Sequence, residues 1–167
     1  MDKRVVLLFV CSGNTCRSVM AEGLFTKVWR ESGEKEVNAV ASSAGIETVD
    51  GLAASAEALQ VLRDEGVDLA YHRSRMITGS LVEEADYIFT MTRKQKEILL
   101  ERFPESNGKA WLLSDFAGLA KKKDIPDPIG QGLEQYRLTA KEIETAIRNM
   151  IAKLKQKLAR EKAAQEN

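Results

Sequence analysis

Residues 4–18 read RVVLLFVCSGNTCRS, and this stretch decides how the rest of the chain is organised. Residues 4–10 are a near-continuous apolar run rich in β-branched side chains, as expected of a strand covered on both faces in a parallel sheet. CSGNTCRS (11–18) then ends the strand with small and polar residues. From Ser18 onward Met20, Leu24, Val28 and Trp29 recur at helical spacing, which predicts a helix ending near Gly33. A strand, a polar turn and a helix in direct succession begin a βαβ unit.

The same alternation continues outward. Strands are predicted over 37–43 (VNAVASS), 86–91 (DYIFTM) and 110–113 (AWLL), and helices over 55–65 and 92–103. An irregular stretch, 114–130, precedes a long helix marked by Leu133, Tyr136, Ala140, Ile143, Ile147, Ile151, Leu154 and Leu158. This order predicts an α/β fold: a compact single domain with a four-stranded parallel sheet, helices on both faces and the polar loop 11–18 after strand 1. The domain is expected to span 1–160. Residues 161–167 carry nothing apolar beyond alanine and are expected to fray.

Composition removes several classes of function. The 167 residues carry 25 Lys and Arg against 25 Asp and Glu, so bulk charge favours neither nucleic acid nor a membrane surface as partner. No apolar run approaches the roughly 20 residues that cross a bilayer. The N-terminal apolar stretch VVLLFV lacks the length and the cleavage site of a signal peptide, and a cytoplasmic location is expected. The only cysteines are Cys11 and Cys16, too few for a secreted disulfide framework, and with the lone His72 they do not make a structural zinc site. The thiols are thus either reactive or inert packing groups.

Position argues for reactivity. In an open α/β sheet, ligands sit beyond the carboxyl ends of the strands, where CSGNTCRS falls. Backbone N–H groups of such a turn and the following helix N-terminus make an anion cradle. Gly13 offers the backbone freedom to curl, and Arg17 supplies a planar, permanently charged fork matched to two phosphate oxygens. Cys11 at the mouth of the cradle feels the same positive field, which favours a thiolate nucleophile aimed at phosphorus. Later, IPDPIG (125–130) places Asp127 in an Asp-Pro pair, a sequence that also suits an ordinary turn. His72, in YHRSR, is read as structural rather than catalytic, because a lone histidine between helices is usually so.

VLLFVCSGNTCRSVMAE (6–22), with the late Asp-Pro segment, resembles the signature of low-molecular-weight protein tyrosine phosphatases, and the resemblance covers residues 4–158. It implies a cysteine-dependent protein phosphatase working through a phosphocysteine intermediate without metal or cofactor. Cys11 is then the nucleophile, Arg17 the phosphate clamp and Asp127 the general acid, with Ser12, Gly13, Asn14, Thr15, Cys16 and Ser18 around the phosphate. Ser18 would hydrogen-bond the thiolate, while Asn14, Ser43 and His72 buttress the loop. Cys16 is read either as the redox partner of Cys11 or as a small packing residue. The implied partners are phosphorylated protein substrates, with no nucleic acid, no membrane and a monomeric state.

Two features bear on the substrate. Thr15 stands where tyrosine-specific members carry a bulky aliphatic residue, and Ile129 and Gly130 follow the Asp-Pro pair without an aromatic. CSGNTCRS with FTMTRKQKEIL (89–99) is similar to the bacterial protein-arginine phosphatases, so phosphoarginine is the expected substrate and phosphotyrosine the alternative; those relatives carry Phe at the place of Ile129 and Pro at that of Val19. Arsenate reductases share the loop but need further cysteines downstream, and none follows Cys16. Phosphocarriers lack the Arg and Asp-Pro elements. A non-catalytic phosphate-binding or thiol-sensing module remains as a different class of reading. The run Lys121, Lys122, Lys123 reads as a solvated loop.

Overall fold

Strand β1 (Lys3–Cys11) lies between β2 (Val37–Gly45) and β3 (Tyr87–Thr90), and β4 (Ala110–Leu112) completes the sheet. The structure is a computed structural model that describes residues 3–119, 121 and 123–167. All three strand pairings are parallel, in the order β2-β1-β3-β4. The helices are α1 (Arg17–Glu31), α2 (Ala56–Asp64), α3 (Gly79–Glu84), α4 (Arg93–Arg102), α5 (Leu113–Phe116) and α6 (Leu133–Glu166).

The unbroken apolar run of β1 is explained by two cores. Val5, Leu7 and Phe9 face the larger one, built with α1, α2 and α6, where Phe9 stacks near Phe89 and meets Phe25. Leu8 and Val10 face a smaller one with Ile77, Val82, Ile88 and Leu99. A strand buried on both sides cannot alternate apolar with polar residues, because either choice of face is apolar.

The first crossover from β1 leads to β2 on one side, and the next leads to β3 on the other. The order of strands therefore reverses at β1, and the carboxyl ends of β1 and β3 open the crevice in which such sheets hold ligands. Cys11 ends β1 and starts the loop into α1.

Three local expectations change. Helix α3 is too short to show a period, and it forms because Thr78 caps it by accepting a hydrogen bond from Leu81 N. Strand β2 extends to Gly45, which pairs with Cys11 on one side and bridges Met76 on the other. Where the composition predicts fraying over 161–167, α6 remains helical through Glu166. The ion pairs Lys3–Glu161 and Lys162–Glu36 tether its last turns to the start of the sheet, and no Gly or Pro interrupts it. Of the lysine run, Lys121 and Lys123 are exposed and Lys122 lies outside the described residues.

Candidate active site

The loop from Cys11 to Ser18 is held by its carbonyl groups. Cys11 O accepts from Ile46 N and Ser12 O from Glu47 N, each at 2.9 Å; Thr15 O accepts from Ser55 N at 3.0 Å, and Asn14 O from the His72 ring at 2.8 Å. A carbonyl can only accept, so His72 Nε2 carries the proton. By contrast, no backbone N–H of residues 12–16 donates to another described residue. The loop thus spends its acceptors on the scaffold and keeps its donors for an anion.

Asn14 sets the curl. Its φ of 57° makes it the one non-glycine residue in the left-handed region among those described, and it is fully buried. Three ties keep it there: the His72 bond to its carbonyl, Arg75 N donating to Oδ1 at 3.0 Å, and Nδ2 donating to Ser18 Oγ at 2.8 Å. Gly13, expected to supply the curl, does not adopt a positive φ, and a Cβ there would meet only Thr15 Oγ1 at an ordinary 3.6 Å. The asparagine amide replaces glycine's freedom with side-chain bonds that hold the same conformation.

The surroundings of Cys11 follow from this. Ser18 Oγ lies 3.0 Å from Cys11 Sγ and already accepts from Asn14, which leaves the Ser18 O–H to point at sulfur. Both cysteines are free and buried.

Arg17 opens α1 and is only 5% exposed. One guanidinium nitrogen donates to Ile125 O at 2.9 Å and the other lies 3.4 Å from Asp127 Oδ2. Arg17 Nε is buried with no hydrogen-bond partner among the described residues. An unmet buried donor of this kind is costly, and a phosphate oxygen in the cradle matches its charge and geometry. Asp127, with 41% of its side chain exposed, thus stands across the cleft from the thiol-bearing loop. Its Oδ1 accepts from Ile129 N at 3.1 Å, an Asx turn that starts the bend after Pro128.

Other expected residues are placed differently. Ser43 does not touch the loop: its hydroxyl donates to Glu22 at 3.3 Å, because in the β1–β2 register it sits beside Phe9, two residues short of the strand end. Only its carbonyl joins the network, by accepting from Arg75 Nε at 2.8 Å. Burial holds the Glu22 carboxyl above its usual range, against opposing effects of Ser43 and Arg75. Cys16 Sγ lies 3.3 Å from Tyr136 OH and 3.5 Å from Ser55 Oγ, and burial with the Cys16 contact pushes the Tyr136 phenol up to about 12. Thr15 is half-buried, its hydroxyl 3.7 Å from Cys16 Sγ.

Three supports were absent from the sequence expectations. Arg75 bonds Asn14 and Ser43 at once. Gly45 lets two backbones meet, since a Cβ there would come within 2.7 Å of Ser12 O. Gln95 bonds Ser12 Oγ at 3.2 Å from the first turn of α4, and its only sequence signal is the capping box Thr92-x-x-Gln95.

The arrangement offers a buried thiol, an array of free amides with one fixed cation, and an accessible carboxyl. That set suits attack on a tetrahedral oxyanion with proton transfer to its leaving group. Among the described residues no group of His, Cys, Asp or Glu is clustered to hold a metal ion, and no helix is long and apolar enough to cross a membrane.

Known proteins share both sequence and shape with this chain. The protein-arginine-phosphatase of Geobacillus stearothermophilus is 37% identical over 149 residues, 89% of this chain and 95% of that protein. The crystal structure of a low molecular weight protein tyrosine phosphatase from T. tengcongensis superposes with a TM-score of 0.83 at 37% identity, covering 89% of this chain and 99% of that one. A third structure, the YwlE arginine phosphatase as a Cys-to-Ser mutant with a phosphorylated active-site serine, gives a TM-score of 0.84 at 31% identity over 90% of this chain and 96% of its own. The family described as low molecular weight phosphotyrosine protein phosphatase matches residues 6–161, and the chain belongs to that family.

Proposed function

We propose that this phosphatase removes phosphoryl groups from phosphoarginine in proteins. In the first step Cys11 Sγ attacks phosphorus and the P–N bond breaks. Asp127 gives its proton to the departing guanidine nitrogen, and Arg17 with the loop amides holds the phosphoryl oxygens. In the second step Asp127 takes a proton from water, the water oxygen bonds to phosphorus, and the S–P bond breaks. Ser18 donates to the thiolate that leaves. The serine-phosphorylated relative supports a covalent route of this kind.

Overall likeness does not separate substrates, because an arginine phosphatase and a tyrosine phosphatase both match at 37% identity. The observation that carries phosphoarginine is Thr15 on the cradle rim, where a bulky aliphatic residue would press on a phenyl ring. Ile129, the exposed residue that follows the Asp-Pro pair, is aliphatic, so the position beyond the acid offers no aromatic wall. Phosphotyrosine is the second reading, favoured by the tyrosine phosphatase match.

The deciding experiment compares kcat/KM on phosphoarginine and phosphotyrosine peptides for the wild type and Thr15→Ile. The expected result is a phosphoarginine preference in the wild type of about tenfold or more, shrinking or reversing in the variant. A wild-type preference for phosphotyrosine that the substitution leaves unchanged overturns the assignment.

A further inference from the structure

Gln95, in the first turn of α4, hydrogen-bonds neither Cys11 Sγ nor Asp127, yet its turn is bonded to the segments that carry both. Gln95 is 4% exposed and uses both ends of its amide. Its Oε1 accepts from Met91 N and Thr92 N, each at 3.0 Å, which fixes the flip of the amide and turns Nε2 to Ser12 Oγ at 3.2 Å. Met91 continues the connection: its carbonyl accepts from Ile125 N at 2.9 Å, and Ile125 O accepts from Arg17. Beside it, Arg93 N donates to Asp124 Oδ1 at 2.9 Å. One short stretch, residues 91–95, is therefore bonded to the phosphate loop at Ser12 and to the acid segment at Asp124 and Ile125.

We propose that Gln95 is a positioning residue that, through Ser12, sets the separation between the bound phosphoryl group and Asp127. A helix cap needs only the Thr92 and Gln95 bonds to backbone N–H groups. The additional bond to Ser12, made by a buried amide across 83 residues of sequence, contributes nothing to capping. It holds the cradle's first residue against the frame from which the acid segment hangs. Proton transfer to the leaving group depends on that separation, and a misplacement of about 1 Å can cost on the order of 100-fold. The inference rests on the phosphatase reading of the loop and is independent of the choice of phosphoarginine.

The test uses two aryl phosphates that differ in their need for an acid: p-nitrophenyl phosphate, with a good leaving group, and phenyl phosphate, with a poor one. Gln95→Met removes the amide, Ser12→Ala removes the hydroxyl and leaves the helix cap intact, and Ser12→Thr restores the hydroxyl. Each of the first two variants is expected to lose about tenfold in kcat on phenyl phosphate and less than about threefold on p-nitrophenyl phosphate. The double variant should be no worse than either single one, and Ser12→Thr should recover most of the loss. Equal losses on both substrates, or losses that multiply in the double variant, overturn the proposal and leave Gln95 a cap. If Gln95→Met does not fold, the Ser12 pair alone decides by the same criterion. A wild type inactive on p-nitrophenyl phosphate would instead refute the phosphatase reading itself.

Discussion

The loop that holds Cys11 and the segment that carries Asp127 meet at the Arg17–Asp127 ion pair and are built in opposite ways. Cys11, Asn14, Arg17 and Ser18 are all 5% exposed or less, and four of the loop's carbonyls are bonded to three separate parts of the chain, at Ile46 and Glu47, Ser55 and His72. Asp127 has a partly exposed side chain, and its segment is fixed upstream at Asp124 and Ile125 and held downstream only by its own short-range turn bonds at Ile129 and Gln131. The difference follows the reaction. A phosphoryl group is the same in every substrate and rewards donors fixed in advance. The leaving group belongs to a large and variable protein, so the side that meets it stays open.

Substitutions on either side can break this comparison. The largest expected effect is at the open side: Asp127→Asn should lower kcat by about 10²- to 10⁴-fold. Inhibition by inorganic phosphate should stay within about threefold of wild type, because Asp127 meets the cradle only through its ion pair with Arg17. An equal loss of phosphate affinity would show that the two regions are one unit.

Next comes Asn14→Ala at the closed side. It removes two buried side-chain bonds and leaves a non-glycine residue in the left-handed region without support, which should cost about 2–4 kcal/mol in a urea titration. Phosphate affinity should fall with it. A variant of wild-type stability would mean that the strain is not held by those bonds.

The smallest effect is expected at His72. Burial holds its pKa below the ordinary 6.5, Arg75 and Arg73 add repulsion, and the bond to the Asn14 carbonyl opposes them. As pH falls through 6.5 the unfolded chain binds a proton that the folded chain does not. Stability therefore drops below that pH until the folded histidine is protonated too. Denaturation of His72→Gln between pH 7 and pH 5 should give a flatter dependence than the wild type. Parallel curves would remove His72 from the supports of the loop.

The sheet and the loop were legible because their signals are local. An apolar run, a break and a helical period lie within 30 residues, and an Asp-Pro pair marks the acid segment without help from its neighbours. What was not legible is what ties these parts together. Arg75 is one arginine in a basic stretch, Gln95 is an ordinary cap residue, and Gly45 follows a string of alanine and serine. Each gains its meaning only from an element distant in sequence: Asn14, Ser12 and the Ser12 carbonyl. Ser43 shows the converse. A family position can keep its residue while its hydroxyl turns to a different partner, here Glu22. The curl of the loop was assigned to Gly13 for its freedom, whereas the chain uses Asn14 with bonds that hold the bend.

The spread of these ties along the chain matters for how the protein is made. The reactive loop is complete in sequence by Ser18, but its supports arrive with Ser55, His72, Gln95 and Ile125, and Tyr136 reaches Cys16 only from the last helix. A ribosome releases the chain from its N-terminus. A fully shaped and covered loop therefore requires every later segment out to Tyr136 in the last helix.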